Sequence, residues 1–593
     1  MHSDVSKIAG GKLRFPAFLR RGGCEAAGAV GNEPRSAHYY WCASRASIRK
    51  LRDILTNHPV CSAKEASRHC LMSQPPLLKN GGESRRKTVA FVLIVLTLAV
   101  PAFAVERAAL ADAAERRDRA GVRALLQTGV DVNAAQVDGT TALHWAAYND
   151  DAETVRLLLR AKANVNAVNR YGVPPLAPAC TNGNAAIVKL LLEAGADANA
   201  TMKGEETVLM LASRTGNVDV VNALLASGAR TEAHERHGQT ALMWAAAEGN
   251  TAVVRLLMGA GADMNATLAS GFTPFFLAVR EGRLETVRFF LSAGIDVNAP
   301  LPRPANAARS TAGSYIRPVD PRTGPLLLAV QNGHFELAIE LVDAGADPND
   351  ARSGFTALHT LTWVRKPDSS DNSDPAPAIG EGRLTSLDFV REIVKRGANV
   401  NFRLPKGAPK QPDTSSRIES DGATPMLFAA DRSDVPLMRL LVELGADPLI
   451  PNFNNTTPLM AAAGLGTTEP LEEAGEENEA VEAVNMLLDL GADINAVNNE
   501  GDTAMHGAAY NIYPRVVELL AKRGADPQIW SKPDKFGRTP LFIAEGYAGR
   551  LPRPDPPTIE AVTTLMRAAG LSTEGKRPEV IDIYAKPVEP AKK

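Results

Sequence analysis

The chain has 593 residues, 45% hydrophobic and 22% charged, an ordinary soluble composition whose length alone would suggest several globular domains. Its net charge of −2 hides an asymmetry: residues 1–87 carry 16 Lys/Arg against 6 Asp/Glu, 88–104 carry neither, and 105–593 hold 49 basic and 61 acidic residues. An acidic body is a poor electrostatic match for a phosphate backbone, so DNA and RNA are not expected partners.

Residues 1–71 show no sustained period and contain four of the five cysteines (Cys24, Cys42, Cys61, Cys70), spaced without a CxxC or CxxCH motif. Then comes SRRKTVAFVLIVLTLAVPAFAVE, in which Arg85, Arg86 and Lys87 flank an apolar run from Thr88 to Val100. Ala102-Phe103-Ala104 follows Pro101, the layout of a secretory leader with a small-residue cleavage site. The run is short of the ~20 residues a membrane span needs. We read 72–104 as a signal peptide starting at Met72, with 1–71 disordered or untranslated. The alternative is an uncleaved membrane anchor at 88–104, with the body outside the cytoplasm.

From Glu106 the chain repeats. Glu106 to Gln136 carries charges (Asp112, Glu115, Arg116, Arg117) where later units are apolar, which suits a terminal cap. A period of 33 then returns an asparagine at Asn133, Asn166, Asn199, Asn265 and Asn298, broken by Glu232. A glycine recurs at Gly129, Gly195, Gly228, Gly261 and Gly294, broken by Lys162. Such a period marks a solenoid. Within the unit 138–169, Thr141 suits a helix N-cap, and sister units place Pro at the next position (Pro274, Pro425, Pro458, Pro540), where no intrahelical N–H is needed. Leu143, Ala146 and Ala147 give a slim first helix; Val155, Leu157, Leu158 and Leu159 give a heavier second one. One unit cannot bury its own apolar face, so the units must stack.

Regular units fall at about 137–169, 170–202, 203–235, 236–268 and 269–301, making 105–301 a regular block with its cap. Looser units follow at about 320–352, 353–404, 421–452, 453–498, 499–530 and 531–571, about twelve in all. Insertions at 302–323 and 405–420 are expected to lengthen fingers between units. Those at 364–383, 464–478 and 547–557 fall between the two helices of a unit and read as mobile loops. Residues 572–593 read as a tail.

These residues resemble the ankyrin repeat: G-x-T-P-L-H-x-A-A, a second helix, then G-A-D-x-N-A, from about Glu106 to Leu571. The resemblance implies an all-α repeat solenoid of helix-turn-helix units joined by short β-hairpin fingers. It also implies that fingers and first helices grip a protein partner. Local departures put their own turn or helix in question: Lys162 at the glycine position, Pro178 inside a first helix, Leu449 and Gln528 at the asparagine position.

No catalytic constellation, metal site or cofactor motif emerges. His144, His359 and His506 share one structural slot and are expected to hydrogen-bond between adjacent fingers; His234 and His237 are too few for zinc. Cys180 stands at a small-residue helix position and reads as a buried hydrophobe. The acidic stretch Glu469 to Glu482 lacks calcium-loop order. Aromatics and cations cluster at finger tips, namely Arg170, Tyr171, Arg236, His237, Phe272, Phe355, Phe453 and Phe536, and are the candidate partner-binding residues. Trp145 and Trp244 are expected to face the stack. The reading is a non-enzymatic, monomeric, exported scaffold, periplasmic or secreted, that binds protein. The alternatives are an enzyme or small-ligand binder using the decorated C-terminal half, or a secreted effector.

Overall fold

A computed structural model describes residues 108–302, 320, 322–367, 382–411, 416–466, 475–547 and 554–574. The leader, the four N-terminal cysteines and the tail beyond 574 lie outside the described residues, as do the middles of all five insertions.

Helices come in pairs. The cap pairs α1 (Ala109–Glu115) with α2 (Arg119–Gln127). The regular block pairs α3 (Ala142–Tyr148) with α4 (Ala152–Arg160), α5 (Leu176–Asn182) with α6 (Ala185–Glu193), and α7 (Val208–Thr215) with α8 (Val218–Ala226). It continues with α9 (Ala241–Glu248) and α10 (Thr251–Gly259), then α11 (Pro274–Arg280) and α12 (Leu284–Ser292). Beyond lie α13 (Pro325–Gln331) with α14 (Phe335–Asp343), α15 (Ala357–Arg365) with α16 (Ser386–Lys395), and α17 (Pro425–Asp431) with α18 (Val435–Glu443). The last pairs are α19 (Pro458–Ala462) with α20 (Glu477–Asp489), α21 (Ala504–Tyr510) with α22 (Pro514–Lys522), and α24 (Pro540–Phe542) with α25 (Pro556–Ala568). An additional short helix, α23 (Pro527–Trp530), precedes the final pair. Each inner helix packs on the inner helices of the units before and after it, and one apolar core runs through the stack.

The capping chemistry is regular. Thr207, Thr240, Thr273, Thr424, Thr457 and Thr539 each accept a hydrogen bond from the backbone N–H three residues on. Where that third residue is histidine, the hydroxyl meets the imidazole instead: Thr141 with His144 Nδ1 at 2.8 Å, Thr356 with His359 at 2.7 Å, Thr503 with His506 at 3.0 Å. Pro178 leaves its helix intact because it is the third residue of α5, inside the first turn, where an intrahelical N–H is not required. Lys162 adopts φ +65° in the conformation glycine takes elsewhere, so that turn also survives.

The recurring asparagine ties one unit to the next. Asn166 donates to the Gly195 carbonyl at 3.0 Å and accepts from Asp197 N at 2.9 Å; Asn199, Asn298, Asn349 and Asn401 repeat both bonds. Glu232 keeps the accepting half, from Asp263 N at 3.0 Å. A carboxylate has no N–H with which to supply the other.

Two expectations need correction. Among the described residues the fingers hold no β-strand, only isolated bridges between Thr201 and Thr207 and between His234 and Thr240. A side-chain oxygen takes the N–H groups a ladder would need. Asn169 Oδ1 accepts from Tyr171 N and Val173 N, and Glu235 Oε1, Asn452 Oδ1, Asn498 Oδ1 and Asp534 Oδ1 do the same two and four residues on. The fingers are side-chain-nucleated turns.

The described residues of the insertion at 405–420 do not lengthen their finger outward. Leu404 and Gly422–Ala423 close its base through backbone bonds, and its described residues fold back over neighbouring units, burying Gln411, Ile418 and Ser420.

Candidate protein-binding surface

In several units two positions come together on the inner-helix side: the residue just before the N-cap and the residue seven after it. In the 203–235 unit these are Glu206 and Arg214, an ion pair at 3.6 Å, with the Arg214 guanidinium 5.1 Å from the Trp244 ring centre of the next unit. In the 269–301 unit they are Phe272 and Arg280; the guanidinium lies 5.2 Å from the ring centre and donates to Glu281 at 2.9 Å. Phe355 and Trp363 meet edge to face at 5.0 Å. Asp502 and Tyr510 occupy the same two positions near the C-terminal end, and Arg538 of the following finger lies 5.3 Å from the Tyr510 ring centre while pairing with Asp534 at 2.6 Å.

This row mixes cations, carboxylates and rings: Glu206, Arg214, Arg280 and Tyr510 are half-buried, while Phe272, Phe355, Trp363 and Asp502 are buried. Burial raises the Glu206 and Glu248 carboxyls above the usual carboxylate range. Burial first, then the Asp534 charge, pushes Asp502 up to about 6, with Arg538 opposing. Its Oδ1 is buried without a hydrogen bond.

The expected finger-tip residues divide. Arg170, Arg236, His237, Phe453 and Phe536 are exposed and Tyr171 is half-buried. Arg170 donates to the Tyr171 hydroxyl at 2.9 Å and lies 5.2 Å from its ring centre. Arg403 and Lys406 lie 4.6 and 5.8 Å from the Phe453 ring centre, and Arg538 and Lys535 lie 4.4 and 5.0 Å from that of Phe536. His237 Nδ1 meets Glu235 Oε2 at 2.8 Å. Phe272 and Phe355 are corrections: at 6% and 5% exposure neither presents its ring to solvent. Each directly precedes an N-cap threonine, where the chain turns inward, so its ring packs under the finger.

The shared histidine slot does join fingers. His144 Nε2 meets the Val173 carbonyl at 2.9 Å and His359 Nε2 meets that of Ala423 at 3.2 Å. His506 Nε2 makes no such bond. Burial lowers His359 to about 3 and His506 to about 4, and lowers His144 as well. Trp244 is buried in the stack, whereas Trp145 is half-buried and donates to Gln136 Oε1 at 2.8 Å. Cys180 is fully buried, and burial raises its thiol.

The two-position row was missed in the sequence because only the finger tips were compared across units. Aligning each unit on its threonine and comparing the positions before it and seven after it would have shown Glu/Arg, Phe/Arg, Phe/Trp and Asp/Tyr in register. A second missed cluster lies at the divided unit. Arg365 clamps the Asp434 carboxylate (2.7 and 3.1 Å) and reaches Ser386 Oγ; Lys366 pairs with Glu479 at 2.7 Å; the buried Arg432 donates to the Lys366 carbonyl. Among the described residues no group of three His, Cys, Asp or Glu could hold a metal ion, and no helix is long and apolar enough to cross a membrane.

Comparison with known proteins agrees with this geometry. Residues 110–202, 209–300 and 471–551 match the family "Ankyrin repeats (3 copies)", and 324–352 match "Ankyrin repeat". The chain is 33% identical over 248 residues to mouse ankyrin repeat and SOCS box protein 16, covering 39% of this chain and 49% of that one. It is 35% identical over 160 residues to the putative ankyrin repeat protein FPV031 of fowlpox virus, 27% of this chain and 40% of that one. It is 27% identical over 198 residues to the Arabidopsis thaliana E3 ubiquitin-protein ligase KEG, 30% of this chain and 11% of that one. The matched stretches thus span half or less of each of these relatives. Helix pairs, threonine caps and inter-unit asparagine bonds, together with these matches, establish that the chain carries ankyrin repeats.

Proposed function

We propose that the protein is a non-enzymatic scaffold of about twelve repeats that binds a partner protein along the inner-helix side of its regular block. The observation that carries this reading is the half-buried series Glu206, Arg214 and Arg280, backed by the buried rings of Trp244 and Phe272. It runs over consecutive units and is flanked by the exposed Arg170 and Arg236 tips. Arginine and aromatic side chains supported by neighbours are the usual anchors of protein interfaces. The acidic balance of 105–593 argues against a nucleic-acid ligand. The ligase named among the relatives is matched over too small a share of its length to carry its activity here.

Export through the 72–104 leader, or anchoring by 88–104, completes the proposal and places the monomeric array outside the cytoplasm. Affinity capture by the full chain from its own cells, compared with an Arg170→Glu/Arg236→Glu variant of unchanged helical content, tests the binding face. The expected result is a partner retained by the first and lost by the second. A partner retained equally by both would place binding elsewhere.

A further inference from the structure

The described residues of the insertion at 405–420 form, with Leu404, a strap (404–411 and 416–420) that lies back on the repeats, and its seats are specific. Pro409 sits on Gly354, where a Cβ would come within 2.2 Å of Pro409 Cδ. Gln411 Nε2 and Ser416 Oγ both donate to the Asp431 carboxylate, at 3.4 and 3.1 Å. Arg417 N donates to the Gly466 carbonyl at 2.8 Å, and Ile418 lies against Gly466, 2.7 Å from the position of a Cβ there. Asp431 holds the same place in its unit that Arg214 and Arg280 hold in theirs. The strap therefore lies along the face that, among the described residues, no insertion covers in the regular block.

Its described contacts suit a bound peptide, and they include a main-chain bond, a proline and an isoleucine in glycine-floored seats, and neutral donors on a carboxylate. Its base is closed independently of these seats, by Leu404 N to the Ala423 carbonyl at 3.0 Å and Gly422 N to the Leu404 carbonyl at 2.9 Å.

We propose that the strap is a built-in occupant of a peptide-binding face running from Gly354 to Gly466, and that the external ligand of this face is an extended, proline-containing polypeptide segment that displaces it. This deepens the protein-scaffold reading and rests on it for the identity of the ligand class. It concerns a different stretch of the array, however, so either can fail alone. A tethered segment competes at an effective concentration in the millimolar range, so the face is masked until a ligand of the same chemistry outcompetes the strap.

The test uses the full chain with 406–418 replaced by a four-residue Gly-Ser linker, which spares the base, and a fluorescent synthetic peptide of the native 404–421 sequence as probe. Fluorescence anisotropy should show saturable binding to the excised chain, about tenfold or more tighter than to the intact chain. Adding Asp431→Asn to the excised chain should weaken it. A Pro409→Asp/Ile418→Asp variant of the intact chain, which unseats the strap without shortening it, should likewise gain binding. The proposal is overturned if helical content is kept and neither variant binds the peptide better than the intact chain. It is equally overturned if both variants lose helical content, because the strap would then be part of the core. Neither result touches the partner-capture test at Arg170 and Arg236.

Discussion

The regular block 137–301 and the stretch 353–466 are built from the same helix pair, yet they treat the inner-helix face in opposite ways. In the first, Arg214 and Arg280 stand at the seventh position after the N-cap and face the inter-finger groove, each paired or stacked and, among the described residues, not roofed by an insertion. In the second, the corresponding Asp431 receives the strap, and the junction between inner and outer helices is held by Arg365, Asp434 and Lys366 rather than by a single side chain. In the regular block that junction is simpler: Asn149, Asn182, Asn217, Asn250 and Arg283 each donate to a carbonyl of the preceding unit. The lesson is that a repeat frame tolerates an insertion when the insertion brings its own polar partners, because neighbouring units supply the rest of the core.

The sharpest way to break this comparison is Asp434→Ala. Asp434 is 1% exposed at its side chain and balances Arg365, so its loss should cost about 3–5 kcal/mol by leaving a sheltered cation unpaired. Hydrogen exchange should then rise in α15 to α20 while the amides of α3 to α12 keep their protection. Uniform loss of protection along the chain would show that the two regions do not fold as separable neighbours.

A smaller effect separates the ends of the array by pH. Asp502 has its folded pKa raised to about 6, above the value of an unfolded aspartate. Its stabilising contribution is therefore complete below the unfolded value and is lost as pH rises through about 6. Asp502→Asn should raise the melting temperature at pH 8, by a stability gain on the order of 1–2 kcal/mol, and change it little at about pH 3, below the unfolded aspartate value. An equal gain at both pH values would mean the carboxyl does not titrate where its surroundings (Asp534, Arg538, Glu500) place it. The buried histidines act in the opposite sense. His359 and His506 are depressed to about 3 and 4, so their contribution is present above the ordinary imidazole value and is lost as pH falls toward those values.

The smallest expected effect lies in the regular block. Lys162 holds φ +65° at an exposed turn, a conformation that costs an L-residue about 1 kcal/mol, so Lys162→Gly should be neutral or stabilising by up to that amount in chemical denaturation. A destabilised variant would show that the lysine side chain contributes something the turn itself does not require.

Much of this fold was legible. Threonine caps, the proline after them, the glycine turns and the asparagine repeat each follow from local chemistry, and each recurs at the expected place. The exposed half of the finger-tip set was legible too. What was not legible were contacts between residues with no fixed spacing. Phe272 and Phe355 look like finger-tip rings in sequence, but the chain turns inward at them. Arg365 and Asp434 are 69 residues apart and Lys366 and Glu479 are farther still. Ser416 and Asp431 are close in sequence, but only a fold-back of the insertion brings them together.

The sequence by itself determined the repeating unit, because each unit's helices, caps and turns depend on residues within about one period, and stacking is the only way such units can bury their apolar faces. Tertiary structure alone decided which faces stay open, since that depends on where an insertion of irregular length finds partners several units away. Periodicity carries no information about that choice.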